Sequence, residues 1–304
     1  MRKETALKAV DILRPVAHTA FMEPATAAPF IEFTRSRPHQ VRSMIETNPV
    51  AYVPVGALEW HGEHCALGLD GLKADYICRR AAEVTGGVLF PVMYWNAFHT
   101  LRRPFTFRAP YRLFRKQLRG ALDALATWGF KSIVVLSGHY PAAMVSLLRK
   151  ECWRTAKRFG VGALGIPEQA LALDLGYLGD HAALWETSIL MAIDESLVDL
   201  SRLPRDTGTL WERKVKHGIE GICPLKGASA ERGREVLTLI VERLSAAAAA
   251  MRDEGNSRAA EEIYAAWKAA FRNLLEAGRR AYGTDSAKEV VLYTLKSLIR
   301  DRHL

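Results

Sequence analysis

Three short stretches of the 304-residue chain collect the side chains that hold cations or move protons. The first is Glu59-Trp60-His61-Gly62-Glu63-His64, followed by Asp70. Residues two apart in an extended segment leave on the same side, so Glu59 and His61 point one way. Carboxylate oxygens and imidazole nitrogens are donors that Zn²⁺ and Mn²⁺ accept. An E-x-H with an acid nearby equally fits a polar loop with helix-capping acids. The second stretch, Ser137-Gly138-His139-Tyr140, closes an apolar run. A histidine there faces a ligand crevice or serves as a hydrogen-bonded structural residue. The third is Gly179-Asp180-His181, then Glu186-Thr187-Ser188 opening the apolar ILMAI. A loop entering a helix can bring Glu186 back to His181. Alternatively, Asp180 caps the helix and Glu186 favours the positive end of its dipole. Each stretch is ambiguous alone, so what matters is where the surrounding elements put them.

Those elements alternate. AYVPVGAL (51–58), GGVLFPVMYW (86–95) and SIVVLSGH (132–139) are short apolar runs, as strands covered on both faces would be. Between them, Leu72 to Val84 has helical spacing. So does Tyr111 to Gly129, through Leu113, Phe114, Leu118, Leu122 and Leu125, with Gly129 as its stop. This alternation predicts βαβ units and a three-layer α/β/α fold with a mostly parallel central sheet. The carboxyl ends of such strands share one crevice, and all three stretches fall at strand or helix ends facing it. We expect an N-terminal arm over 1–45, interrupted by Pro15, Pro24, Pro29 and Pro38, and a main α/β domain over 46–250. A helical C-terminal extension follows over 251–304, broken near Gly255 and Gly283, with Ile263, Trp267, Phe271 and Leu275 at helical spacing.

Composition narrows the class. Apolar residues are 49% and charged residues 25%, and mean hydropathy is -0.04, which suits a globular chain and excludes a wholly disordered or fibrous one. Lys and Arg number 42 against 33 Asp and Glu, so 42 − 33 = +9. The densest basic run, Arg102, Arg103, Arg108, Arg112, Arg115, Lys116 and Arg119, alternates with apolar residues like a solvated helix face. No nucleic-acid motif accompanies it, which leaves anionic substrates or subunit contacts as uses for the excess charge. Cys65, Cys78, Cys152 and Cys223 show no CxxC spacing and predict reduced thiols in a cytoplasmic protein. No apolar run approaches the roughly 20 residues needed to span a bilayer.

The strings VPVGALEWHGEHCALGLDGLKA, VVLSGHY and GDHAALWETSILMAIDESLVDL occur in this order within about residues 50–200. Together they resemble the creatininase (creatinine amidohydrolase) family. The resemblance implies a three-layer α/β fold, a homo-oligomer that is hexameric in many members, and a centre of two divalent ions, Zn²⁺ or Mn²⁺. It implies Glu59, His61, Asp70 and His139 as metal ligands, with Asp70 as the bridge and Glu186 as the last ligand. It also implies His181 as the acid/base beside the scissile bond. Trp60 and Tyr140 lie near the predicted crevice as candidate substrate-binding residues, although aromatics at strand ends also fit the core; His64 is a candidate for orienting a ligand. Departures are informative too. Pro141 stands where creatininase proper has an acid, and AFHTLRRPFTFRAP replaces the family's G-T element. GIPEQALALDLGYL lacks the tryptophans that cover creatinine. The resemblance therefore implies a retained centre beneath a rebuilt pocket.

The expected function is a metal-dependent hydrolase that cleaves a C–N bond of a small amide, cyclic or open, with no membrane or nucleic-acid partner. Two alternatives remain open at this point. The same centre could hydrolyse a cyclic ketone or lactone, or it could be vestigial in a scaffold protein.

Overall fold

The computed structural model describes residues 28–94 and 103–300. Most of the expected arm (1–27), Trp95, His99 and Arg102 lie outside them. In chain order the elements are β1 (Phe30–Glu32), α1 (Pro38–Thr47), β2 (Val50–Val55), α2 (Leu69–Thr85), β3 (Gly87–Leu89), α3 (Tyr111–Trp128), β4 (Ser132–Ser137) and α4 (Ala142–Phe159). They continue with β5 (Gly162–Pro167), α5 (Leu184–Ile193), the single turn α6 (Leu210–Glu212), α7 (Ala230–Glu254), α8 (Arg258–Ala270), α9 (Leu274–Tyr282) and α10 (Ala287–Arg300).

The five strands pair in the order β1-β3-β2-β4-β5, all parallel. Side-chain alternation explains why the runs are apolar throughout. Val50, Tyr52, Val134 and Leu136 join one core with α2, α5, α7 and α8, while Ala51, Val53, Ile133 and Val135 join a second core with α3 and α4. Both faces are covered, so no strand position is left for a polar residue until the strand ends. This is the expected α/β/α sandwich. From β2 the chain crosses to β3 on one side, then returns past β2 to β4 on the other. The crossover helices α2 and α3 accordingly lie on opposite faces. The crevice of such a sheet opens at this reversal, beyond the carboxyl ends of β2 and β4.

Local expectations hold with adjustments. Gly129 stops α3 in the left-handed conformation, and Gly255 and Gly283 do the same for α7 and α9. Leu113, expected in the buried stripe of α3, is exposed; the stripe runs through Phe114, Leu118, Leu122 and Leu125 at spacings of four, four and three. The expected strand 86–95 is cut to Gly87–Leu89, with Met93 rejoining β2 as an isolated bridge at Val55. The stretch expected as an extended leader supplies an edge strand, β1, which caps the sheet beside β3, and the helix α1. Beyond residue 250 the chain is helical, but α8 ends at Ala270 and Leu275 belongs to a separate helix, so Ile263 and Leu275 do not share one stripe. Ile263 is fully buried in the same core as β5. No helix among the described residues is long and apolar enough to cross a membrane.

Two glycines allow α2 to start against the sheet. A Cβ at Gly56 would lie 2.2 Å from the Gly71 nitrogen, and one at Gly138 would lie 2.0 Å from the Asp70 carbonyl oxygen. The ends of β2 and β4 thus clamp the first turn of α2, where Asp70 sits. Gly138→Ala should therefore cost about 1–3 kcal/mol of stability by overpacking. Gly120→Ala, in an exposed helical position with nothing within 4 Å of the new methyl, should gain up to about 1 kcal/mol. Urea unfolding midpoints with unchanged slopes would check both.

Candidate metal centre

β2 ends at Val55, and the loop that follows carries Glu59 and His61 into the crevice. His139 lies two residues past the end of β4. Asp70 enters from the first turn of α2, not from a loop as its position after the glycines suggests. Glu186 enters from the first turn of α5. These five residues are buried, none more than 5% exposed. They form two overlapping triads, Glu59–Asp70–His139 and His61–Asp70–Glu186, in each of which one ligand atom per residue lies within 4.8 Å of the others. Asp70 is common to both: its Oδ2 is 3.1 Å from His139 Nδ1 and its Oδ1 is 3.2 Å from His61 Nε2. His139 Nδ1 is also 3.1 Å from Glu59 Oε2.

The donor atoms are presented for a cation. His61 Nδ1 lies 2.9 Å from the carbonyl oxygen of Glu59, which can only accept, so Nδ1 carries a proton and Nε2 is the nitrogen turned toward the acids, to be held by a proton or by a cation. Glu59 Oε2, His61 Nε2 and Asp70 Oδ2 are buried without a hydrogen-bond partner. Burial disfavours protonation of His61, but Asp70, Glu186 and Glu59 outweigh it and raise its pKa to about 9. In the same way Glu59 and Asp70 overcome the burial of His139 and lift it to about 10. Burial opposes ionisation of Asp70, yet the two imidazoles hold its carboxyl far below the usual range. Protons and divalent cations compete for such a site, because the same excess of buried negative charge attracts both.

A second layer fixes Glu186. Its Oε1 accepts from Lys73 Nζ at 2.5 Å and from the Tyr140 hydroxyl at 2.8 Å, and its Oε2 accepts from the Ala182 nitrogen at 2.7 Å. Lys73 is fully buried and also pairs with Glu168 Oε1 at 2.7 Å. Burial raises the Glu168 pKa to about 7 against the pull of Lys73. Asp180 does cap α5, accepting from the Trp185 nitrogen at 2.8 Å and the Glu186 nitrogen at 3.2 Å. The aspartate thus caps the helix, while the glutamate turns inward toward His61 and Asp70 rather than serving only the helix dipole. His64 holds the same loop through Nε2, 3.0 Å from the Ala182 carbonyl.

His181 lies at the edge of the triads, its Nε2 3.0 Å from the Trp60 carbonyl and its ring centroid 4.3 Å from that of His61. Burial, with Arg103 and His61 as positive neighbours, depresses its pKa well below the usual range, so the ring is neutral. The two aromatic candidates separate. Tyr140 borders the cavity, but its hydroxyl is spent on the Asp180 carbonyl and Glu186. Trp60 does not line that cavity: its indole packs on Gly218 and donates to Glu63 Oε1 at 3.1 Å. The glycine at 218, with φ of 68°, leaves room for the ring there.

Sequence reasoning missed Lys73, Glu168, Glu220 and Arg103. Lys73 is one helical turn after Asp70 and so shares its face, and Glu168 directly follows β5, as His139 follows β4; both signals were present. Arg103 reads as part of a solvated basic run, but its side chain is 6% exposed and pairs with Glu220 Oε1, 3.8 Å from Glu59.

Comparison with known proteins identifies the family and the fold. Residues 34–248 match the Creatininase family, described as creatinine amidohydrolase. A creatinine amidohydrolase of Pseudomonas putida is 27% identical over 176 residues, which cover 51% of this chain and 68% of that protein. Among solved structures, a crystal structure of creatinine amidohydrolase has a TM-score of 0.58 at 20% identity, covering 72% of this chain and 97% of its own. A creatininase named as its Mn form has a TM-score of 0.57 at 22% identity, covering 74% and 98%. At such identities the structures establish the shared fold. With the family match spanning most of its length, the chain belongs to the creatininase family.

Proposed function

We propose that this protein is a hydrolase whose buried carboxylates and imidazoles would hold two divalent cations, zinc or manganese, and which uses water to break the C–N bond of a small amide. The observation that carries the reading is the pair of buried triads sharing Asp70, in which Glu59 Oε2, His61 Nε2 and Asp70 Oδ2 lack hydrogen bonds. Glu59, Asp70 and His139 would hold one ion, and His61, Asp70 and Glu186 the other. Related creatininases are described in Mn and Zn-Zn forms. Such ions supply Lewis acidity toward a carbonyl and toward water.

The chain's own residues supply the rest. Lys73 and Tyr140 hold Oε1 of Glu186, and the Ala182 amide holds Oε2, which sets the carboxylate's rotation before any ligand arrives. The Trp60 carbonyl accepts the Nε2 proton of His181, so Nδ1 keeps the lone pair. A neutral imidazole at the edge of the triads takes a proton from the attacking water and returns it to the departing nitrogen. The apolar sheet layers beneath exclude bulk water and strengthen these contacts.

Three outcomes test this reading. Protein saturated with Zn²⁺ or Mn²⁺ should melt above chelated protein, by about 2.7 kcal/mol of stability at a hundredfold excess over Kd, and Asp70→Asn should erase the difference in calorimetry. His181→Ala should lower kcat on small amides by about 10²–10⁴ while metal content stays unchanged; hydrolysis of lactones with no amide turned over would overturn the amide assignment. Lys73→Met leaves Glu168 and Glu186 buried without their cation and should cost about 3–5 kcal/mol, of which a second change, Glu168→Gln, should restore a part in chemical unfolding.

A further inference from the structure

The last three helices of the described residues begin beyond residue 248, where the family match ends, yet they line the same cavity as the triads. One cavity of about 1170 Å³ is bordered by Glu59, Asp70, His139, His181 and Glu186 on its floor. It is also bordered by Tyr264, Trp267 and Phe271 at α8, Ala281 of α9 and Val290 and Thr294 of α10. These helices are fastened down. Tyr264 Oη donates to the Gly165 carbonyl and accepts from the Gly165 nitrogen, both at 3.0 Å. Tyr293 of α10 donates to Glu220 Oε2 at 2.7 Å, and the backbone of Glu220 is paired in both directions with that of His181 at 2.8 Å. The roof and the proposed acid/base residue therefore share one short bridge.

The charges of this chamber are uneven. Glu59, Asp70 and Glu186 belong to the triads, Glu220 is met by Arg103 and Lys214, and Asp180 is held by backbone amides. Three further cations border the cavity with side chains open to solvent: Arg108, Arg149 and Lys268. No ion pair to an acid is found for these three among the described residues, and Arg149 lies over the Tyr264 ring at 4.8 Å. Gln169, 3% exposed, also borders the chamber, and its Oε1 has no hydrogen-bond partner, leaving an acceptor for a substrate N–H. A cavity this size exceeds the roughly 300–1,000 Å³ that suits a drug-sized ligand, far more than a small cyclic amide fills.

We propose that α8–α10 roof the metal cleft into a chamber selective for an elongated amide that carries an anionic group at the end remote from the scissile bond, with Arg108, Arg149 and Lys268 receiving that group. The proposal rests on the hydrolase reading for the reaction but not for binding. The test uses the metal-loaded full chain and two series, the dicarboxylic monoamides succinamate, glutaramate and adipamate, and neutral butanamide, pentanamide and hexanamide. Affinity is read by calorimetry and turnover by ammonia release. The anionic series should bind about tenfold more tightly than the neutral one, as expected for one charge-assisted contact, and the preference should fall with rising salt. Arg108→Ala/Arg149→Ala/Lys268→Ala should bring the two series together through KM. Ala281→Trp, which fills the chamber from α9, should weaken adipamate more than succinamate, a length dependence that general damage to the fold would not produce. Equal affinity for the two series, including none for either, overturns the proposal. Selective binding without ammonia release overturns the hydrolase reading and leaves the chamber standing.

Discussion

The constraint on which this structure depends is the burial of carboxylates that nothing in the chain fully neutralises. Glu59, Asp70 and Glu186 are withdrawn from water at the mouth of a sheet whose faces are wholly apolar, and Lys73 answers only Glu186 and, behind it, Glu168. Isolated buried charge is costly, so such a cluster persists only with a cationic partner. The imidazoles of His61 and His139 serve by taking up protons, and divalent ions serve better, since each brings two charges to oxygens already aimed inward.

The fold creates this situation by economy. Strands covered on both faces carry no polar residue along their length, so polar side chains collect at their ends. The reversal of strand order between β3 and β4 places two such ends, those of β2 and β4, side by side. Gly56 and Gly138 then admit the first turn of α2 to within contact of both strand ends, which brings Asp70 between the histidines. Asp70 ionises easily there because two imidazoles flank it. The same helix turns Lys73 toward Glu186, so one element supplies both the shared carboxylate and the lysine that fixes its neighbour.

Much of this was legible. The positions of Glu59, His61 and His139 follow from apolar runs that end in glycine and polar residues, a pattern set by local chemistry. Asp70 was legible as a participant but not as a helix residue, because α2 begins three positions before the apolar periodicity at Leu72 becomes evident. Glu186 showed the limit of choosing between readings: Asp180 caps α5 through backbone amides, which frees Glu186 to face the centre. Trp60 was a candidate by its neighbours alone, although alternation places it opposite Glu59 and His61, where the missing side chain of Gly218 gives its ring a place. Arg103 misled for the converse reason, since a basic run reads as a solvated face until its partner, Glu220, arrives from more than a hundred residues away.

By itself the sequence determined the alternation of strand and helix, the layering of the sheet and the donor types gathered at its mouth, because periodicity, glycine and chemical type act over a few residues. Only the tertiary structure decided which donors share Asp70, which aromatic ring borders the cavity, and that α8–α10 return from the end of the chain to close it. Those outcomes depend on packing between segments far apart in sequence, where a gap the size of one methyl group admits or refuses a neighbour and no local pattern records the result.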